Sequence, residues 1–210
     1  MTVLAEWLTV QGNPAAWRAL GLVVADDGFV PLMGTSIKIE EGPDAGLVGW
    51  AFSGVESDFG SVDPIDGLRT ESVAARPPVF AAHPIGASGL DHVVVMTPDL
   101  DRTSSAVEAV TGFERKRVRS VDGPGGVMYQ GFHRIGRGGL IVEIVQRPEA
   151  DEGPAAFWGV VLNVDDLDAA CAHIGSDLIG DAQDAVQPGR RIATVRREAG
   201  LGLPVALMTT

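Results

Sequence analysis

Two stretches of this 210-residue chain repeat one plan, and that repeat restricts the fold more than any other feature. An apolar run at residues 90–97 leads into Pro98-Asp99-Leu100-Asp101, and a second at 157–164 leads into Asp165-Asp166-Leu167-Asp168. Each reads as a strand followed by a helix that opens on an aspartate cap. The first helix is predicted through Arg102, Ser105, Val107 and Val110, stopping at Thr111-Gly112; the second runs through Ile174. Strands are expected at 114–121, 126–135 and 140–146 in the first unit, with Gly-Pro-Gly-Gly and Gly-Arg-Gly-Gly turns between them. In the second they are expected near Ala185, at 190–196 and at 203–208. Each unit, about fifty residues long, is thus β-α-β-β-β, and such self-similarity speaks for fold more strongly than a single motif does.

Such a unit cannot bury the inner face of its own sheet, so two must pair. The expected class is α+β, with paired βαβββ modules forming an open half-barrel cleft. Alternation along the strands then assigns faces. His92, Val94 and Met96 share the cleft face, while Val93 and Val95 meet the helix. Ile141, Glu143 and Val145 share one face as well. If the turn at Arg137-Gly138 pairs Ile135 with Leu140, Phe132 lies opposite Glu143, with Gln130 and Arg134 beside it and His133 turned away.

The N-terminal part reads as a reduced module pair. A strand at 3–10 precedes a short helix at 13–20 that stops at Gly21, and residues 23–25, 29–33 and 35–40 are strand-like. Leu47 to Val55 resembles the run at 157–164, after which the pattern fades into Gly, Asp, Ser and Pro until about Gly89. The expected division is therefore 1–80, reduced modules and a linker (Ala74-Ala75-Arg76-Pro77-Pro78), and 89–210, the well-formed pair. The simpler alternative makes 1–80 an unrelated cap.

Composition bounds function. Hydrophobic residues at 45% and charged residues at 21% describe a globular chain with enough length for a good core. A net charge of −12 argues against nucleic acid, whose phosphates require a basic footprint. The positive charge is clustered at Arg115-Lys116-Arg117 with Arg119, and at Arg190-Arg191 with Arg196-Arg197. Solvated strand faces are the ordinary explanation of such runs, and an anion site is the alternative. The single cysteine, Cys171, suits a reducing compartment and a buried helix position. No basic start with an apolar run marks a signal peptide, and no stretch is long enough for a membrane span, so a cytoplasmic location is expected.

The strand opening Gly89-Leu90-Asp91-His92 and the strand Gly139-Leu140-Ile141-Val142-Glu143 carry the chemistry. Together they resemble one module of the vicinal oxygen chelate superfamily, which includes glyoxalases, extradiol dioxygenases and bleomycin-resistance proteins. That resemblance implies a cleft metal held by His, Gln or Glu from first and last strands, which would make His92 and Glu143 ligands of a divalent ion (Zn, Ni, Mn or Fe). Its equivalents in the second module are Gly159 and Ala206, and Trp50 aligns with the same first-strand slot in the N-terminal half. His83 and Glu6 are candidate outside donors. Without a metal, Glu143 and His92 become an acid/base pair in an apolar pocket. Phe132, Gln130 and Arg191 are the candidate substrate contacts, Arg191 because one of Arg190 and Arg191 should reach the cleft. The expected function is binding of a small organic molecule; the alternative is a metal-dependent lyase, isomerase or extradiol-type dioxygenase. Sheet edges are compatible with a homodimer.

Overall fold

The computed structural model describes residues 2–55, 64–123, 125–136, 139–148 and 152–210. Pro124 of the first expected turn and Arg137-Gly138 of the second lie outside the described residues.

The N-terminal half contains β1 (Leu4–Gln11), α1 (Pro14–Ala19), β2 (Phe29–Val30), β3 (Ser36–Glu40), β4 (Gly46–Ser53) and β5 (Thr70–Ser72). They form one sheet in the order β2-β3-β1-β4-β5. The C-terminal half contains β6 (Ala87–Thr97), α2 (Leu100–Thr111), β7 (Arg117–Gly123), β8 (Gly126–Arg134) and β9 (Ile141–Gln146). The second module follows: β10 (Ala156–Val164), α3 (Leu167–Ile174), β11 (Gln183–Asp184), β12 (Arg191–Thr194) and β13 (Val205–Thr209). The eight strands of this half make a sheet in the order β11-β12-β13-β10-β6-β9-β8-β7, two βαβββ modules joined where β6 and β10 pair antiparallel.

The repeated aspartates act as the sequence requires. Asp99 and Asp166 each accept the backbone N–H three residues on, satisfying a donor that the first helical turn leaves unpaired. Gly112 closes α2 in the left-handed conformation at φ 73°, where a side chain would be strained. Val93, Val95, Val142 and Ile144 face the helix and are buried. Phe132 pairs with Glu143, as the expected register requires, and His133 is fully buried on the far face.

The N-terminal sheet copies the layout in smaller form. Its first strand, β1, is flanked by a parallel β3 and an antiparallel β4, just as β6 is flanked by β9 and β10. Residues 23–25, expected to be strand-like, belong to no strand. Where the sequence pattern fades, the chain still contributes β5, three residues paired parallel to β4. Trp50 corrects the alignment of this half. Thr9 faces Gly49 as Val94 faces Gly159, so Gly49 occupies the first-strand slot. Trp50, one residue on, turns into the core, where its indole N–H donates to the Thr70 hydroxyl. A slip of one residue reverses every face of a strand.

Candidate functional site

The site is built on a bulge in β6. Leu90 pairs with Leu162 and His92 with Val161, which leaves Asp91 as the extra residue. A bulge re-aims side chains locally. Asp91 and His92, which strict alternation would send to opposite faces, touch instead. His92 Nδ1 donates to Asp91 Oδ2 at 2.7 Å, and Arg190 Nη2 lies 2.7 Å from Asp91 Oδ1. Burial alone would raise the Asp91 carboxyl, but the hydrogen bonds from His92 and Arg190, and their charges, hold it below the usual carboxylate range. An ionised carboxylate only accepts, so the His92 proton sits on Nδ1 and a neutral ring offers the Nε2 lone pair.

That Nε2 lies 3.4 Å from Glu143 Oε2. Gln130 Nε2 donates to Glu143 Oε1 at 2.7 Å, leaving Gln130 Oε1 buried with no hydrogen-bond partner among the described residues. Burial pushes the Glu143 carboxyl up, against the pull of His92, Arg119 and Arg117. The result is a continuous chain, Arg190–Asp91–His92–Glu143–Gln130, with opposite tendencies at its two carboxylates.

The chain borders a cleft of about 300 Å³ between the two modules. One wall is Val94, Met96, Met128 and Val145; the other is Val161, Ile192, Pro204 and Ala206. Trp158, half exposed, stands in the lining, and Thr194 and Arg147 complete its polar contacts. Few polar groups in an apolar hollow is the usual make-up of a small-molecule site.

The remaining sequence candidates are placed as follows. Phe132 sits on the cleft face but outside the cleft lining, beneath the Arg117 guanidinium at 4.6 Å from the ring centre. Arg191 points away and pairs with Asp168 at 2.8 Å, and it is Arg190 that reaches inward. His83 accepts from the Val23 N–H and donates to the Pro31 carbonyl, so both ring nitrogens are engaged in the N-terminal half. Glu6 accepts from the Ser53 hydroxyl and the Arg76 N–H. Asp91 and Arg190 were missed as site residues. The only signal for Asp91 is its adjacency to His92, and a bulge cannot be read from alternation.

A full metal centre of the superfamily type does not fit these residues. An offset of 67 residues carries Asp99 to Asp166, His92 to Gly159 and Val94 to Val161, and the strand register obeys it: His92 faces Val161 as Val94 faces Gly159. In the second module the ligand positions therefore hold Gly159 and Ala206. A Cβ on Gly159 would come within 2.5 Å of the Pro204 carbonyl oxygen, so no side chain can point from there. Among the described residues no three His, Cys, Asp or Glu side chains converge as ligands. No described helix is long and apolar enough to cross a membrane.

Comparison with known proteins agrees with this architecture. Residues 89–190 match the family model of the Glyoxalase/Bleomycin resistance protein/Dioxygenase superfamily. That part of the chain belongs to this superfamily. A triple mutant of 4-hydroxymandelate synthase from Streptomyces coelicolor is similar in structure, with a TM-score of 0.68 at 12% identity over 98% of this chain and 91% of the other. Methylmalonyl-CoA epimerase from Mycobacterium tuberculosis aligns with a TM-score of 0.49 at 18% identity, over 59% of this chain and 89% of the other. No curated protein sequence matches the chain. At such identities the likeness is one of fold.

Proposed function

We propose that the cleft binds a small, partly apolar organic molecule and that Glu143 and His92 act on it as an acid/base pair without a resident metal. The observation that carries this reading is the chain of polar side chains at the cleft wall, with His92 Nε2 and Glu143 Oε2 3.4 Å apart. Asp91 fixes the His92 tautomer so that Nε2 is a proton acceptor, and Glu143, whose hold on a proton is strengthened by burial, stands next to it. A bound C–H or O–H group seated against both from the cleft side can lose a proton to one and regain it from the other. Gln130 orients Glu143, and the apolar walls keep water from competing.

The second reading is a metal-dependent lyase, isomerase or extradiol-type dioxygenase with His92 and Glu143 as ligands. Its support is spacing: two ligands at about 2.1 Å from a tetrahedral ion stand roughly 3.4 Å apart. The buried Gln130 Oε1, with no hydrogen-bond partner among the described residues, is a candidate third donor for it.

Metal content and binding in chelator separate the two. Protein purified without chelator should carry only background metal by mass spectrometry, and wild type and a His92→Ala/Glu143→Ala double variant should not differ. Quenching of Trp158 by the neutral fluorophore N-phenyl-1-naphthylamine should survive EDTA. Near-stoichiometric metal in wild type, lost in the variant, would overturn the metal-free reading in favour of the second.

A further inference from the structure

The cleft face of the first module carries a charge pattern that the acid/base chain does not use. Direct cross-strand partners share a face, so Arg117 and Arg119 stand beside Phe132 and Gln130, and Arg134 beside Ile141. Arg147 continues the row of Ile141, Glu143 and Val145 and lines the cleft. The opposite face is fixed by Gly131, whose missing Cβ would meet Leu100 of α2. Four arginines therefore share the concave face with Glu143, in a chain whose net charge is −12. None of the four is ion-paired with a carboxylate among the described residues, whereas Arg69, Arg102, Arg115 and Arg191 on other surfaces are.

Their surroundings suit a ligand rather than plain solvent. Beside the cleft lies a hollow of about 180 Å³ lined by Arg117, Arg134 and Lys116 over the Phe132 ring and Ile141. Arg117 and Arg119 are near enough to pull on the Glu143 carboxyl. Unpaired guanidinium groups in a fixed fork, next to an apolar and aromatic floor, are the usual receptor for a carboxylate, phosphate or sulfonate. An isolated positive face on an acidic protein also draws anions to one place.

We infer that the ligand of this cleft is an organic anion, its apolar body seated between the modules and its anionic group held by the arginines of β7, β8 and Arg147. This inference rests on the cleft being the binding site, as proposed above, and adds the ligand's charge. It accounts for Arg119 acting on the carboxylate that does the proton work and for Arg147 lining the same cleft. The same arginines would favour the negative charge that develops when a carbon acid near the anionic group is deprotonated.

Two matched fluorophores test it. 8-Anilinonaphthalene-1-sulfonate and N-phenyl-1-naphthylamine share one aromatic body and differ by the sulfonate. Titration of the full chain, followed by energy transfer from Trp158, should show the sulfonate binding about tenfold more tightly, a gap of about 1.4 kcal/mol. Raising salt from about 0.05 M to about 0.5 M should erase most of that gap, because exposed guanidinium groups are screened. An Arg119→Gln/Arg147→Gln variant, checked for an unchanged melting curve, should bind the sulfonate about tenfold more weakly and the neutral probe within about twofold of wild type. Ala206→Phe, which narrows the cleft on the side away from the arginines, should weaken both. Equal, salt-insensitive binding of the two probes would overturn the anion inference and leave the cleft reading standing. Binding of neither probe would overturn both.

Discussion

At the residue scale the protein depends on two carboxylates with opposite environments. Asp91 is held ionised by His92 and Arg190, and its depressed folded-state pKa sets a sign: the stabilisation is present above the unfolded carboxylate range, near pH 4, and is lost as pH falls through the folded value. Asp91→Asn should cost about 2 kcal/mol in denaturant unfolding at neutral pH, because Arg190 is left mostly buried without its counter-charge. The same substitution should move the His92 proton off Nδ1, which nitrogen-15 histidine spectra read directly; an unchanged tautomer would show that Asp91 does not orient the ring. Glu143 runs the other way. Its folded pKa is raised, so the fold favours the protonated form, and stability drains away as pH rises through that value. Glu143→Gln should therefore raise stability by about 1 kcal/mol at pH 8, a site tuned for function being suboptimal for folding. Near pH 4 the gain should vanish. Thermal melts at the two pH values check both statements, and a gain of equal size at each would refute the assignment.

At the element scale the sequence was informative where periodicity and caps operate, and blind where a strand breaks its own rhythm. Asp99 and Asp166 mark two helix starts, and alternation around Val94 and Val145 assigns the cleft face, so the paired βαβββ plan and the convergence of His92 with Glu143 are legible in the chain. Asp91 is not, because the bulge that turns it toward His92 leaves no compositional mark. The same blindness interchanged Trp50 with Gly49 and Arg191 with Arg190. The short strand β5 lies below what any pattern can reveal, since three residues make no period. The slot that departs from the superfamily pattern is the informative one. Gly159 is pressed against the Pro204 carbonyl, whose oxygen accepts from the Val160 N–H, so a side chain at this slot meets backbone already in use. Gly159→Ala should destabilise the protein by about 1–3 kcal/mol, the range for overpacking in a filled interior. Denaturant midpoints measure this. A neutral substitution would mean that the slot has room, and a donor engineered there would then be worth trying.

At the scale of the whole molecule, the two sheets invite a division at the linker, yet the packing joins them. One hydrophobic cluster runs from Leu8, Trp17 and Trp50 of the first sheet to Val93, Phe157 and Leu207 of the second. Trp50 meets Phe157 edge-on at 5.0 Å between ring centres, Met33 bridges to Gly89, and the Ala155 N–H donates to the Asp66 carbonyl. The linker itself is held down, for Arg76 lies 3.5 Å above the Phe29 ring and its N–H reaches Glu6. Units that share a core this way exchange burial energy and cannot unfold independently. The chain should therefore melt in one transition by both near-ultraviolet circular dichroism and calorimetry, with matching calorimetric and van't Hoff enthalpies. Phe157→Ala should cost about 3 kcal/mol, since a large aromatic is removed from between the sheets. If the halves are bound through that ring, the variant should also begin to split the transition, the N-terminal sheet melting first because its strands are fewer and shorter. Two transitions already present in wild type, with Phe157→Ala shifting only one of them, would instead establish residues 1–80 as a separately folded cap, and the cleft would then owe its shape to the C-terminal modules alone.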